Sequence, residues 1–234
     1  MDQKFVLYIF EFVVLIFAFS IHEAAHAWTA ARLGDPTAMM LGRVTLNPMK
    51  HIDPFGSILL PIIGILQGGW MIGWAKPCPI TPRNFRKYKR DDILVSMAGP
   101  AVNLLVAVLA AVVLLVVKHT GAQGDFAVNS VARQIMLTPD QGQGLLFPLV
   151  VLLYVVVLVN LSLFTFNLIP VPPLDGSHVL RHFLPYGAVQ VYDRIGMYGL
   201  ILVFFVLPFL TGINLFGMLF HPLLGIFRQV ILTA

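Results

Sequence analysis

Two histidines and a glutamate stand within the five-residue stretch HEAAH, and the sequence before them is almost entirely apolar. On a helix His22 and His26 lie four residues apart on one face, so both imidazoles can bind one metal ion. Glu23 lies beside them, placed to take a proton from a metal-activated water. Ionisable groups are costly at membrane depth, so they need a functional reason there. The pattern favours a zinc hydrolase site over its plainer alternative, two water-exposed histidines at a helix end.

A catalytic zinc site needs a third protein ligand beside the two histidines. The stretch after HEAAH has no further histidine, and the other glutamate of the chain, Glu11, lies about 16 Å along the helix from His22. The third ligand must therefore be an aspartate or a distant histidine, and the best candidate is Asp175, in the stretch PPLDG at the end of another apolar segment. A turn of the type that P-x-D-G sequences form is the alternative for Asp175. Taken with the histidine pair, Asp175 is the predicted third ligand.

The composition of the chain indicates that membrane-spanning helices position these residues. Of the 234 residues 58% are hydrophobic and 11% charged, about half the usual charged share of a soluble domain, so the chain is predicted to be an integral membrane protein. Long apolar segments cover about 5–31, 93–117, 145–168 and 196–220, and a tail follows to 234. The basic residues are not interleaved with aromatic ones, so no nucleic-acid partner is expected. One cysteine leaves no internal disulfide.

The predicted fold is all-α, a multi-pass membrane helical bundle with a short β-hairpin or re-entrant segment between the first and second clean spans. The hairpin is predicted from the alternating stretch MMLGRVTL in the connector 32–55. The re-entrant segment is predicted at 56–74, where Pro and Gly interrupt an apolar run. The whole chain, 1–234, is expected to form one domain, with a catalytic core over about 5–184 and further C-terminal helices over about 196–234.

Topology follows from where the ligands must meet. His22, His26 and Asp175 each lie near the C-terminal end of an apolar segment, so the segments 5–31 and 145–168 must run in the same direction. One crossing by 93–117 satisfies this if 56–74 does not cross. Most of the 15 lysines and arginines then lie on the active-site face, which the positive-inside rule assigns to the cytoplasm. An outside N-terminus is therefore expected, whereas a crossing by 56–74 weakens the charge asymmetry.

Three motifs in this order resemble the site-2 protease family of intramembrane zinc metalloproteases: HEAAH at 22–26, SMAGPAVNLL at 96–105 and FNLIPVPPLDG at 166–176. The resemblance implies one Zn²⁺ held by His22, His26 and Asp175, with Glu23 as catalytic base. It also implies that Asn103 and Asn167 help to hold the substrate backbone. The connector resembles the compact bacterial and archaeal branch, which lacks a PDZ domain, and so implies a prokaryotic cell membrane.

The predicted function is hydrolysis of peptide bonds within or next to transmembrane segments of membrane-protein substrates. A substrate helix must unwind to expose its carbonyl groups, and strand-like pairing with residues 40–47 is one means of unwinding it. A metal-ion transporter is the alternative from another class, since intramembrane His and Asp also mark ion pathways. An inactive scaffold that binds membrane helices is the third. Neither alternative requires a glutamate beside the first histidine.

Other polar residues have weaker assignments. His51 could stabilise an oxyanion or line the substrate route, although an interfacial loop histidine is as good an interpretation. His178 and His182 follow Asp175 at helical spacing and could support the metal ligands, but a solvated helix face is the simpler interpretation. The basic run RNFRKYKR is interpreted as an anchor on anionic membrane lipid.

Overall fold

The computed structural model describes residues 3–66, 73–133 and 144–234, and these ranges are mostly helical. Helix α1 covers Gln3–Leu33 and is followed by the short helices α2 (Thr37–Met40) and α3 (Leu60–Leu66). Helices α4 (Tyr88–Lys118), α5 (Ala122–Ala132) and α6 (Leu146–Leu168) follow. The C-terminal part comprises α7 (Asp175–Arg181), α8 (Tyr186–Ile201), α9 (Leu207–Thr211) and α10 (Leu215–Thr233).

Four of these helices, α1, α4, α6 and α10, are long and apolar enough to cross a membrane. Helix α1 ends where Gly34 adopts a φ of 114°, a conformation that only glycine enters readily. Helix α6 ends before the proline-rich stretch IPVPP, because proline cannot donate the next helical hydrogen bond. The prediction of a multi-pass α-helical membrane protein is confirmed.

The predicted β-hairpin or re-entrant segment is not supported, because the described residues contain no β-strand. The end of α2 and the three residues after it form a tight turn, in which the Gly42 N–H donates to Met39 O (2.9 Å) and the Arg43 N–H to Ala38 O (2.9 Å). Gly42 has a φ of 67°, which turns the chain where a strand would have continued. The alternation of apolar and polar residues in this stretch therefore does not produce a strand. Without a strand, the proposed pairing of a substrate strand with residues 40–47 has no structural basis.

The described part of the apolar segment 56–74 is helical but short. A π-helical turn, Pro54–Leu59, runs directly into α3, and Asp53 caps its start by accepting from the N–H groups of Phe55 and Gly56. The combined helix, Pro54–Leu66, has fewer residues than the four candidate spans. Residues 67–72 lie outside the described ranges, but the Trp74 N–H donates to Gly56 O at 3.2 Å, so the chain returns beside the start of the segment.

Side-chain contacts give the directions of the long helices. His22 contacts Asn103 and His26 contacts Val95, so α1 and α4 are antiparallel. Buried clusters join the end of α4 to the start of α6, and the start of α10 to the end of α6. Helices α1 and α6 therefore run in one direction and α4 and α10 in the other, which brings the C-terminal parts of α1 and α6 to the same depth.

The C-terminal apolar region differs from the single segment predicted at 196–220. The chain bends by 77° within α8, near Gly196, between the helical parts Tyr186–Arg194 and Tyr198–Thr211, and α10 is a separate candidate span over Leu215–Thr233. Asn214 begins α10 by accepting a hydrogen bond from the Gly217 N–H at 2.9 Å. At the other end, the Lys118 ammonium donates to Ile231 O at 2.8 Å and to Leu232 O at 3.0 Å. The tail after residue 220 thus belongs to a helix of the bundle.

Candidate metal centre

The three predicted metal ligands converge in the structure. His22 Nε2 lies 3.1 Å from Asp175 Oδ2, and His26 Nε2 lies 3.4 Å from Asp175 Oδ1. The Nε2 atoms of the two histidines are 3.0 Å apart. Both histidines are buried on α1, and Asp175 is the first residue of α7. The ligand atoms all lie within 4.8 Å of one another, so one ion could contact all three.

The second ring nitrogen of each histidine faces an oxygen. His22 Nδ1 lies 3.3 Å from Asn103 Oδ1, and His26 Nδ1 lies 2.7 Å from the Val95 carbonyl oxygen. An oxygen of either kind accepts a hydrogen bond and cannot donate one, so each Nδ1 carries the proton. The Nε2 lone pairs are therefore directed at Asp175, which is the tautomer that a metal-binding histidine requires.

This donor set fits a zinc ion. In the neutral form of both histidines, two Nε2 lone pairs and a carboxylate face one another, an arrangement that a bound cation would stabilise. Asp175 Oδ2 is buried without a hydrogen-bond partner among the described residues. Nitrogen and oxygen ligands of this kind are those that zinc takes in hydrolytic sites, where the fourth position remains open.

Gly99 allows α4 to approach the cluster. A Cβ atom added to Gly99 would overlap the Nε2 atoms of both His22 and His26. Any side chain larger than hydrogen would therefore displace the ligands. This requirement is invisible in the sequence before the helices are placed, because a glycine next to Pro100 equally suggests a local helix distortion.

Glu23 is held by the segment that precedes α4. Its Oε2 accepts a hydrogen bond from the Cys78 N–H at 2.8 Å, and the Cys78 thiol lies 3.3 Å from the Glu23 carbonyl oxygen. Pro77 and Pro79 flank Cys78 and restrict the backbone on both sides of this contact. Burial, the charge of Glu23 and the hydrogen bond to it together raise the pKa of the Cys78 thiol to about 12. The thiol is therefore neutral, and Glu23 keeps a fixed orientation beside His22.

The remaining predicted residues lie in different settings. Asn103 is fully buried and contacts His22, while its Nδ2 has no partner among the described residues. Asn167 donates from Nδ2 to Leu163 O, at 3.0 Å, within its own helix. His51 is buried and bonds through Nε2 to Thr45 O at 2.9 Å, so within the described ranges its ring is joined to the connector loop rather than to the ligand cluster.

The bundle and its centre define a membrane protein with a His–His–Asp metal site and an adjacent glutamate. The model of peptidase family M50 matches residues 10–210 of the chain. Over 227 residues the chain is 37% identical to the Bacillus subtilis protein named "Putative zinc metalloprotease YwhC", covering 91% of this chain and 93% of that protein. A Mycobacterium tuberculosis protein named "Putative zinc metalloprotease Rip2" is 29% identical over 197 residues, which are 82% of this chain and 64% of that protein. No solved structure matches significantly.

The chain belongs to peptidase family M50, the site-2 protease family. It is an intramembrane zinc protease, and its cofactor is Zn²⁺. The family resemblance predicted from the three motifs is confirmed. The metalloprotease class, and not the metal transporter or the inactive scaffold, is the one that the family and its relatives support.

Proposed function

We propose that the protein hydrolyses peptide bonds within or next to transmembrane segments of membrane-protein substrates, with Glu23 as the catalytic base. The convergence of His22, His26 and Asp175 beside Glu23 is the observation that carries this proposal. These three residues would hold the zinc ion. When bound, zinc supplies Lewis acidity, which polarises a carbonyl group and lowers the pKa of a water molecule to about 7.

Glu23 and the backbone of Cys78 are proposed to handle the proton transfer. Glu23 accepts the proton of the attacking water and transfers it to the nitrogen of the leaving amine. The Cys78 N–H fixes one carboxylate oxygen, and this bond leaves the other oxygen to carry the proton. In this reaction the C–N bond breaks, the water oxygen joins the carbonyl carbon, and one proton of the water ends on the amine.

The two asparagines are proposed to act on the peptide backbone of the substrate. Asn103 is the stronger of the two, because its Nδ2 is buried and has no partner among the described residues, although its Oδ1 is engaged by His22. An unpaired amide donor beside a metal centre is suited to a substrate carbonyl. Asn167 would have to exchange its bond to Leu163 O for one to the substrate. His51 has weaker support as a stabiliser of an oxyanion, because its Nε2 is already paired with Thr45 O.

We also propose that the N-terminus lies outside the cell and the metal centre near the cytoplasmic face. The antiparallel order of the long helices supports this orientation, since the start of α4 and the ends of α1 and α6 share one depth. The basic loop before α4 then faces the cytoplasm, as the positive-inside rule prefers. All these elements, from 1 to 234, would form one protease domain. A cysteine introduced at Arg86 should be protected from a membrane-impermeant thiol reagent in intact cells; labelling from outside would reverse the topology.

Glu23→Gln tests the catalytic proposal. Glutamine keeps an oxygen for the Cys78 N–H but cannot accept a proton at neutral pH, so the variant should retain one zinc per chain and lose cleavage. Purified protein in detergent micelles is assayed with a model transmembrane peptide and analysed for zinc. Unchanged cleavage would exclude Glu23 as the base. Loss of zinc from the variant would instead give Glu23 a structural role. Zinc flux across vesicle membranes in the absence of any cleavage would favour a transporter.

A further inference from the structure

A second polar cluster lies between α4 and α7 and has no part in the mechanism above. His182 Nε2 lies 2.7 Å from Asp92 Oδ2, and both side chains are buried, with exposures of 8% and 7%. His178 Nδ1 lies 3.7 Å from the same oxygen, but its side chain is half exposed. Because a carboxylate only accepts, His182 must donate from Nε2. Asp92 and His182 therefore form a buried, charge-assisted hydrogen bond between two helices.

This pair joins the two helices that support the metal centre. Asp92 precedes Val95 by three residues on α4, and the Val95 carbonyl holds His26. His182 immediately follows α7, whose first residue is Asp175. The helix between them has seven residues, so it is about 10 Å long. Because this helix is short, a displacement of His182 would also displace Asp175.

The contacts of α7 that are described at the level of side chains are mostly polar. No residue of α7 belongs to the buried apolar clusters found among the described residues. The ring of Tyr88 packs edge-on against His182, with centroids 5.4 Å apart, and its hydroxyl lies 3.3 Å from Arg181 Nη1. These contacts gather at the same end of α7 as the Asp92 pair. The start of α4 thus contacts the C-terminal end of α7.

We propose that Asp92 and His182 are positioning residues that hold α7 so that Asp175 meets His22 and His26. The inference rests on the proposed zinc site and adds the element that places its third ligand. Without the Asp92 carboxylate, His182 keeps a buried donor with no acceptor, and α7 must shift to bring that donor to water. Groups that orient metal ligands from outside the ligand set typically change metal affinity by about 10–100-fold.

The test measures zinc affinity in the full-length protein, purified in detergent micelles and stripped of metal, by competition with a chromogenic chelator. Asp92→Ala should weaken zinc binding by about 10–100-fold. Asp92→Asn keeps an acceptor oxygen for His182 and should lose less. His182→Phe keeps the ring beside Tyr88 but removes the donor, so it should match Asp92→Ala. Visible absorption of the cobalt-substituted proteins should change in the same order, because it reports the ligand geometry.

Asp193→Ala is the matched control. It removes the partner of Arg181, the last residue of α7, from a pair with an N–O distance of 3.0 Å, in which both side chains are substantially exposed. Exposed pairs contribute little, so zinc affinity should stay within about twofold of the wild type. If this control weakens binding as much as Asp92→Ala, general loosening of α7 explains the effect and the inference is wrong.

The outcomes separate this inference from the proposed function. A wild-type protein that binds no zinc would overturn the proposed site itself. A wild-type protein that binds zinc, with Asp92→Ala and His182→Phe binding it equally well, would overturn only the positioning role. If Asp92→Ala fails to fold, the comparison of Asp92→Asn with His182→Phe still tests the positioning role. That role requires His182→Phe to lose more zinc affinity than Asp92→Asn. Equal affinities in those two variants would contradict it.

Discussion

Substituting Gly99 by alanine tests the geometry of the metal centre more sharply than removing a ligand. The added Cβ would overlap the Nε2 atoms of His22 and His26, whereas ordinary van der Waals contacts lie at 3.4–4 Å. The histidines and α4 must then separate by about 1 Å. Zinc–nitrogen bonds are about 2.0–2.1 Å long and tolerate about 0.2 Å, so both ligands cannot stay in place.

We expect Gly99→Ala to weaken zinc binding by at least about 100-fold, which corresponds to about 2.8 kcal/mol. Helix propensity acts in the opposite direction, because alanine in a helix is favoured over glycine by about 0.5–1 kcal/mol. The variant should therefore keep its helical circular dichroism while it loses zinc. Chelator competition on the purified protein measures the affinity.

Gly225→Ala is the matched control for Gly99→Ala. Gly225 lies within α10, and a Cβ there would meet nothing within 4 Å. Its zinc affinity should equal that of the wild type. If Gly99→Ala binds zinc within about threefold of the wild type, the close approach of α4 to the ligands is wrong, since a displaced ligand costs far more.

Three further predictions concern the surroundings of the site. Asp35→Asn should lower the unfolding temperature at pH 7, by the loss of about 1–3 kcal/mol, because the buried Asp35 carboxylate accepts hydrogen bonds from the Thr81 N–H and the Asn84 side-chain amide, in the segment before α4. Burial alone would raise the pKa of Asp35, but these bonds lower it overall, so the stabilisation is present above the unfolded pKa of about 3.9 and is lost as pH falls through the folded value. Cys78, with a pKa of about 12, should react with iodoacetamide far more slowly at pH 8 than a free cysteine, and Glu23→Gln should speed the reaction. Lys118→Met should lower stability by about 1 kcal/mol in thermal unfolding, because it removes the hydrogen bonds to the end of α10.

Each of these predictions has a contradicting result. An Asp35→Asn deficit that persists unchanged at pH 2 would show that the charge of the carboxylate is not its source. Rapid alkylation of Cys78 at pH 8 would mean that the segment over Glu23 is open in solution. A Lys118→Met protein as stable as the wild type would show that water satisfies the end of α10 equally well.

The metal centre could be predicted from the sequence because its ligands are side chains with distinctive chemistry. HEAAH defines two ligands by helical spacing alone, and Asp175 follows from the need for a third. The groups that orient these ligands could not be found in the same way. The Val95 carbonyl and the Cys78 N–H are backbone groups that every residue type possesses, so only the packing of α4 against α1 reveals them.

Errors in the predicted fold have equally local causes. The alternating stretch at 39–46 satisfied a strand pattern, but Gly42 turns the chain, and its apolar residues Leu41 and Leu46 are exposed. The predicted segment 196–220 runs across the break at 212–214, because only Gly212 and Asn214 mark that break in the sequence. The sequence favours a solvated helix face for His182, whereas its side chain is buried against Asp92, a partner 90 residues away in the sequence.

Mass spectrometry of the cleavage products tests the central claim most directly. A model substrate with one transmembrane segment is incubated in micelles with the zinc-loaded protein, and the new termini are sequenced. The account predicts a single hydrolysed peptide bond within or next to the apolar segment, absent with Glu23→Gln at full zinc content. Cleavage only in remote soluble regions, or equal cleavage by Glu23→Gln, would contradict it.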